Sequence, residues 1–164
     1  MKRLVPLIIF FIAGCASPPD QKCTPDERRG YCEKVLVNTG NKDPWAHYEL
    51  GTLDEADGNL ESAVLHYGAA VANLPPRRFT RPALRWGQAL AKLHRPDAAR
   101  RAFMEVVLTV APDPGIYRTN PDYRAAALGL RDVFQQVPDN AEEQRVRARF
   151  LEEMGGRQDE WPGK

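Results

Sequence analysis

Three histidines and a few paired acidic residues are the side chains of this 164-residue chain that could perform acid–base or metal chemistry. The histidines are His47, His66 and His94, and their spacing is not that of a helical zinc motif. Acidic neighbours such as Glu152 and Glu153 are usually solvated groups on a helix surface. The sequence contains neither a nucleophile motif nor a phosphate-binding loop. We therefore expect no enzyme, no metal site and no cofactor.

Two cysteines, Cys23 and Cys32, are candidates for covalent chemistry. The segment between them contains Pro25 and Gly30, which favour a chain reversal. Metal binding and a reactive thiol are the alternatives, but no histidine lies nearby and the spacing is not that of a metal knuckle. In an oxidising compartment, closing so short a loop would add about 2–3 kcal/mol to the free energy of unfolding. We predict a structural disulfide between Cys23 and Cys32.

The start of the chain has the pattern of an export signal. Two basic residues precede the apolar run at 4–13, which is shorter than the roughly 20 residues that span a bilayer. The sequence IAGC at 12–15 resembles the cleavage box of bacterial lipoproteins, which implies removal of residues 1–14 and acylation of Cys15. An ordinary signal peptide and a short uncleaved anchor are the alternatives. The residue after the cysteine is Ala16, not aspartate, and the resemblance then implies the periplasmic face of the outer membrane.

Charge and length narrow the function classes further. Removal of Lys2 and Arg3 from the 23 basic residues would nearly balance the 22 acidic residues, so no charge excess suggests nucleic acid as a partner. The remaining chain suits a single domain. We expect residues 15–42 to form a lipidated tether and the cysteine loop, and residues 155–164 to form a tail.

The chain between these ends repeats itself. Each copy predicts a helix, a turn and a second helix, with units at about 44–77, 80–113 and 122–154. Small and aromatic residues recur at matching positions, and these are Gly51, Ala63 and Tyr67, then Gly87, Ala99 and Phe103, then Gly129 and Ala141. The third copy has Arg145 at the aromatic position. Its second helix has a narrow apolar stripe, as the last helix of a stacked array requires.

The first unit resembles a tetratricopeptide repeat. The residues that carry the resemblance are Leu50, Gly51, Gly58, Ala63, Tyr67, Ala70 and Pro75. The unit departs from the family pattern at His47, where a large aromatic is usual, and at Asp54, where a tyrosine is usual. The resemblance implies an all-α solenoid of about three antiparallel hairpins over residues 43–154. Gly51 would give up helix propensity so that two helices approach closely beneath Tyr67.

In tetratricopeptide repeats the first helix of each unit lines a concave binding face. Carried over by position, this implies that the concave face shows Trp45, Tyr48, Thr52 and Glu55 from the first unit, Arg81, Leu84, Gln88 and Lys92 from the second, and Tyr123, Ala126 and Leu130 from the third. The alternative for Trp45 and Tyr123 is packing against the N-terminal segment or the tail. Trp161 in the tail either covers the last apolar face or is an exposed docking residue.

These features together predict a lipid-anchored periplasmic adapter that binds a protein or peptide of an envelope assembly machine. The chain resembles the small repeat lipoproteins of Tad (Flp) pilus assembly and the pilotins of type IV pili. The alternative is a scaffold for cell-wall or outer-membrane maintenance that recruits a hydrolase or an assembly factor. In either case the lipid is the contact with the membrane, and the sequence does not fix the oligomeric state.

Overall fold

A computed structural model describes residues 24–74, 80–108 and 115–161, and within these ranges every regular element is an α-helix. The helices are α1 (Pro25–Thr39), α2 (Pro44–Ala56), α3 (Leu60–Asn73), α4 (Thr80–Lys92), α5 (Pro96–Val107), α6 (Ile116–Thr119), α7 (Pro121–Gln136) and α8 (Asn140–Glu152). In the described part of the chain, none of these helices combines the length and the apolar character that crossing a bilayer requires. The leader, Cys15 and Cys23 lie outside the described residues.

Helix α1 lies where the sequence led us to expect a loop, and that expectation is wrong. The Thr24 hydroxyl accepts a hydrogen bond from the Glu27 backbone N–H at 3.3 Å, and the Glu27 carboxylate accepts one from the Thr24 N–H at 2.8 Å. This reciprocal pair starts a helix, and Pro25 fits in its first turn because no hydrogen-bond donor is needed there. Gly30 lies inside the helix, and Gly40 ends it in the left-handed conformation with φ 61°.

Cys32 is buried on the inner face of α1, and no other cysteine lies among the described residues. It packs in a small apolar cluster with Leu36, Ala46 and Leu50, which joins α1 to α2. The helical rise between Thr24 and Cys32 is about 12 Å, whereas the Cα atoms of a disulfide lie less than about 7 Å apart. Cys23 itself lies outside the described residues, so the disulfide with Cys32 stays a prediction.

Three antiparallel hairpins follow α1, and they give the chain an all-α, tetratricopeptide-like fold. The pairs are α2 with α3, α4 with α5, and α7 with α8. In the first pair, a Cβ added at Gly51 would lie 2.7 Å from the ring of Tyr67, and in the second, a Cβ at Gly87 would lie 2.5 Å from the ring of Phe103. Ala63 and Ala99 are fully buried in these pairs. The hairpins therefore need a small residue where the aromatic ring crosses the first helix.

The third hairpin packs differently from the first two. A Cβ at Gly129 would lie 2.7 Å from the Phe103 ring of the preceding hairpin. Ala141, which the repeat spacing led us to expect at the crossing, is exposed. The reason is that Arg145 replaces the aromatic residue of this unit, so α8 buries Val146 and Phe150 instead.

The tail turns back over the last hairpin. Trp161 is almost completely buried, and its ring centroid lies 5.7 Å from that of Phe150. The carbonyl oxygen of Trp161 accepts a hydrogen bond from Arg147 at 3.0 Å, and Arg124 of α7 forms an ion pair with Glu160. Of the two roles left open by the sequence, Trp161 has the first: it covers the end of the apolar core.

Candidate functional site

Ion pairs from Glu55 on α2 to Arg85 and Lys92 on α4 join the exposed surfaces of these two helices. We call this surface the α2–α4 face and define it by Trp45, Tyr48, Glu55, Arg81, Arg85 and Lys92. Its aromatic part begins at Trp45, whose exposed fraction of 48% is large for a tryptophan. The Trp45 ring meets the Tyr48 ring edge-on at 6.0 Å between centroids, and Tyr48 lies 6.0 Å from the buried ring of Tyr67. The aromatic row is therefore anchored in the core at one end and open to solvent at the other.

The charged part of the face is centred on Glu55. Its carboxylate accepts a hydrogen bond from the Tyr67 hydroxyl at 2.8 Å and from Lys92 at 2.6 Å, and it lies 3.7 Å from Arg85. Burial alone would raise the pKa of Glu55, but the Lys92 and Tyr67 bonds outweigh it and hold that pKa below its ordinary value. Burial and the neighbouring Glu55 raise the pKa of Tyr67 far above its ordinary value. Two cations thus share one carboxylate, which leaves local positive charge.

Arg81 extends this face toward the third hairpin. Its Nε lies 2.8 Å from a carboxylate oxygen of the buried Asp122 at the start of α7, and Thr80 donates a hydrogen bond to the same carboxylate at 2.9 Å. The hydrogen bond to Asp122 raises the pKa of Arg81 above its ordinary value. The Arg81 side chain remains half exposed, so it offers free guanidinium surface beside the ion pair.

The structure brings together only part of the groove that the sequence predicts. Trp45, Tyr48 and Arg81 reach the surface, and Thr52 and Gln88 are partly exposed. The other predicted members are buried, and these are Leu84, Tyr123, Ala126 and Leu130. The interpretation of these four as groove residues is wrong.

The buried members have two kinds of neighbours. Leu84 belongs to the main apolar core. Tyr123 packs edge-on against Tyr117 of α6 at 4.8 Å between ring centroids. Because α6 lies between the second and third hairpins and outside the repeated pattern, that pattern could not predict that α6 covers Tyr123.

The sequence did not predict that a buried polar cluster lies between α1, α2 and α3. His47 and Asp54 are its α2 members, and both stand where the sequence departs from the tetratricopeptide pattern. Asp54 accepts hydrogen bonds from Arg29 of α1 at 2.7 Å and from Ser62 of α3 at 2.5 Å, while His47 approaches His66. These two departures from the repeat pattern were the sequence signal for the cluster, because each places a polar group that needs a hydrogen-bond partner where an aromatic residue is usual.

The described helices form an all-α, tetratricopeptide-like array of antiparallel hairpins. Among solved structures, the chain is similar to the one described as the crystal structure of MamA protein. The TM-score is 0.59 at 15% sequence identity, and the match covers 85% of this chain and 69% of that one. This likeness establishes the fold alone. No protein-family model matches the chain, and a search of curated proteins finds no match.

The chemistry of the α2–α4 face suits binding. Exposed tryptophan and arginine are enriched at the energetic centres of protein interfaces, and both occur here on rigid helices. Among the described residues, no group of three or more histidines, cysteines or acidic residues is arranged to hold a metal ion.

Proposed function

We propose that the protein is a lipid-anchored periplasmic adapter whose α2–α4 face binds an extended segment of an envelope assembly protein. The observation that carries the proposal is the half-exposed Trp45 beside a row of cations on a repeat fold of the protein-binding kind. Acylation of Cys15 would hold the array against the outer membrane.

The charge of the face favours a partner segment with acidic side chains. Arg85 and Lys92 share the single carboxylate of Glu55, and their side chains remain 40% and 54% exposed. A carboxylate on the partner would find guanidinium and ammonium donors here, while an apolar side chain four or five extended residues away would span the roughly 15 Å of helix to Trp45. Because the cations are exposed, binding should weaken as ionic strength rises.

Site-specific photocrosslinking in intact envelopes tests the binding face. A benzophenone amino acid at position 48 lies on the α2–α4 face, whereas the same group at Leu65 lies on the exposed outer side of α3. We expect a discrete crosslinked partner from position 48, lost when Trp45→Ala is added, and no such product from position 65. Capture from position 65 alone would contradict the assignment of the face.

The anchor has a separate test. We expect the native chain to incorporate labelled palmitate and to sediment with outer membranes, and we expect Cys15→Ser to do neither. A native chain that carries no label would contradict the lipid anchor and leave the binding face to be judged by crosslinking.

A further inference from the structure

The polar cluster at the junction of α1, α2 and α3 contains a contact between two histidines. His47 on α2 and His66 on α3 approach through their Nδ1 atoms, which lie 3.1 Å apart. The Nε2 atom of His47 lies 3.1 Å from the carbonyl oxygen of Asn41, in the connection between α1 and α2. The two rings therefore link α3 to the segment of chain that leads out of α1.

The partners of these rings determine where the protons of the neutral pair lie. A carbonyl oxygen only accepts, so Nε2 of His47 carries a hydrogen and its Nδ1 is an acceptor. The Nδ1 atom of His66 must then donate, which places one proton between the rings. The Nε2 atom of His66 carries no hydrogen in this state and lies 3.8 Å from a carboxylate oxygen of Asp54.

Charged groups reach His66 from both neighbouring helices. Burial is the largest effect and lowers the pKa of His66. On α2, Asp54 raises this pKa and His47 lowers it. On α1, Arg29 lowers it and Glu33 raises it. The result is a pKa below the ordinary value for histidine. The folded junction therefore resists protonation of this ring.

We propose that the His47–His66 pair is a pH-sensitive contact within the junction where α1 packs on the first repeat through Arg29 and Asp54, and that this junction is closed at neutral pH and loosens in mild acid. A first added proton can enter at Nε2 of His66, where it faces Asp54. A second added proton can enter only at the Nδ1 atom of His47. That atom already faces the N–H group of His66, and the two Nδ1 atoms lie 3.1 Å apart. Two donors and two positive charges would then meet at hydrogen-bond distance, so the rings must separate.

The sign of the pH dependence follows from proton counting. Separated, hydrated rings take up protons with an ordinary pKa near 6.5, whereas the closed pair excludes at least one proton. The open junction binds more protons, so acid favours it. The contact is at full strength well above pH 6.5 and weakens as the pH falls below that value. One excluded proton shifts the opening equilibrium about tenfold at pH 5.5.

Amide hydrogen exchange of the full chain tests the proposal. Protection factors, corrected for the intrinsic pH dependence of exchange, are measured at pH 7.5 and pH 5.5 for α1 and for α5 as an internal reference. We expect α1 to lose about tenfold in protection relative to α5 in mild acid.

Two asparagine variants separate the histidine pair from a general effect of acid. His66→Asn does not titrate, and its side-chain amide can turn its oxygen toward the His47 Nδ1 atom when that atom gains a proton, so α1 should keep its protection at pH 5.5. His94→Asn is the matched control, because His94 is exposed and its φ of 55° suits asparagine. It should respond to acid as the native chain does.

Equal α1 protection at both pH values in the native chain would overturn the proposal. So would a His66→Asn chain that still loses tenfold. Should His66→Asn fail to fold, His47→Gln gives the same comparison, because its amide can still donate to the Asn41 carbonyl and cannot be protonated.

Discussion

The phenyl ring of Phe103 fills the space that a side chain at Gly129 would need. A Cβ at Gly129 would lie 2.7 Å from Phe103 Cζ, although the two residues belong to different hairpins. The same ring also lies against Gly87 of its own hairpin. One aromatic side chain thus sets both the spacing within the second hairpin and the approach of the third.

Gly129→Ala should lower the free energy of unfolding by about 1–3 kcal/mol, because the overpacking against Phe103 exceeds the gain in helix propensity. Gly30→Ala is the matched control, since nothing lies within 4 Å of a Cβ at that helical position. It should raise the free energy of unfolding by about 0.5–1 kcal/mol. Urea unfolding measures both, and a stabilised Gly129→Ala would contradict the packing described.

Trp161→Ala should lower the free energy of unfolding by about 3–5 kcal/mol, since it removes a buried ring from Phe150. Arg157→Ala, four residues earlier in the same tail, should change it by less than about 0.5 kcal/mol because that side chain is exposed. Thermal and urea unfolding of both variants provide the measurement. Similar stabilities for the two would show that the tail does not pack in solution.

Tyr67→Phe should cost about 1–2 kcal/mol of stability, because it removes the hydrogen bond to Glu55 while the ring stays buried. The same substitution at the exposed Tyr31 should change stability by less than about 0.5 kcal/mol. Urea unfolding of the pair is the measurement. An effect at Tyr31 as large as that at Tyr67 would argue against the Glu55 contact.

Asp54 should make the fold sensitive to strong acid. Burial by itself would raise the pKa of Asp54, but the hydrogen bonds from Ser62 and Arg29 outweigh it, and that pKa lies below its ordinary value. Since the folded pKa is the lower one, the stabilisation is present above about pH 4 and is lost as the pH falls through the folded pKa. Unfolding free energies measured from pH 4.5 to pH 2 should fall more steeply for the native chain than for Asp54→Asn.

The exposed partner of the same arginine offers the control for this pH dependence. Asp57 pairs with Arg29 at 2.9 Å, but its side chain is largely exposed. Asp57→Asn should therefore keep the native pH profile and cost less than about 1 kcal/mol at neutral pH. If the unfolding free energy of Asp54→Asn fell as steeply with pH as that of the native chain, the Asp54 carboxylate of the native chain would not be held by Arg29 and Ser62.

The sequence predicted the hairpins well, because the recurring glycine, alanine and aromatic residues report directly on close helix crossings. It failed for α1, whose buried positions are only Cys32 and Leu36, too few to mark an apolar stripe. The capping pair of Thr24 and Glu27 was the signal present in the sequence. Position in the repeat also failed to predict the burial of Tyr123, since α6 lies outside the repeating pattern.

Of the candidate face, the sequence predicted the aromatic residues but not their connection to the core. That connection depends on the row from Trp45 through Tyr48 to Tyr67, and on the hydrogen bond from Tyr67 to Glu55. Such contacts join residues on different helices, and a single sequence gives no measure of the distance between them.

The position of Trp161 limits how copies of this protein could join. Because the Trp161 ring covers Phe150 of α8, a second copy could pack on that ring of α8 only by displacing Trp161.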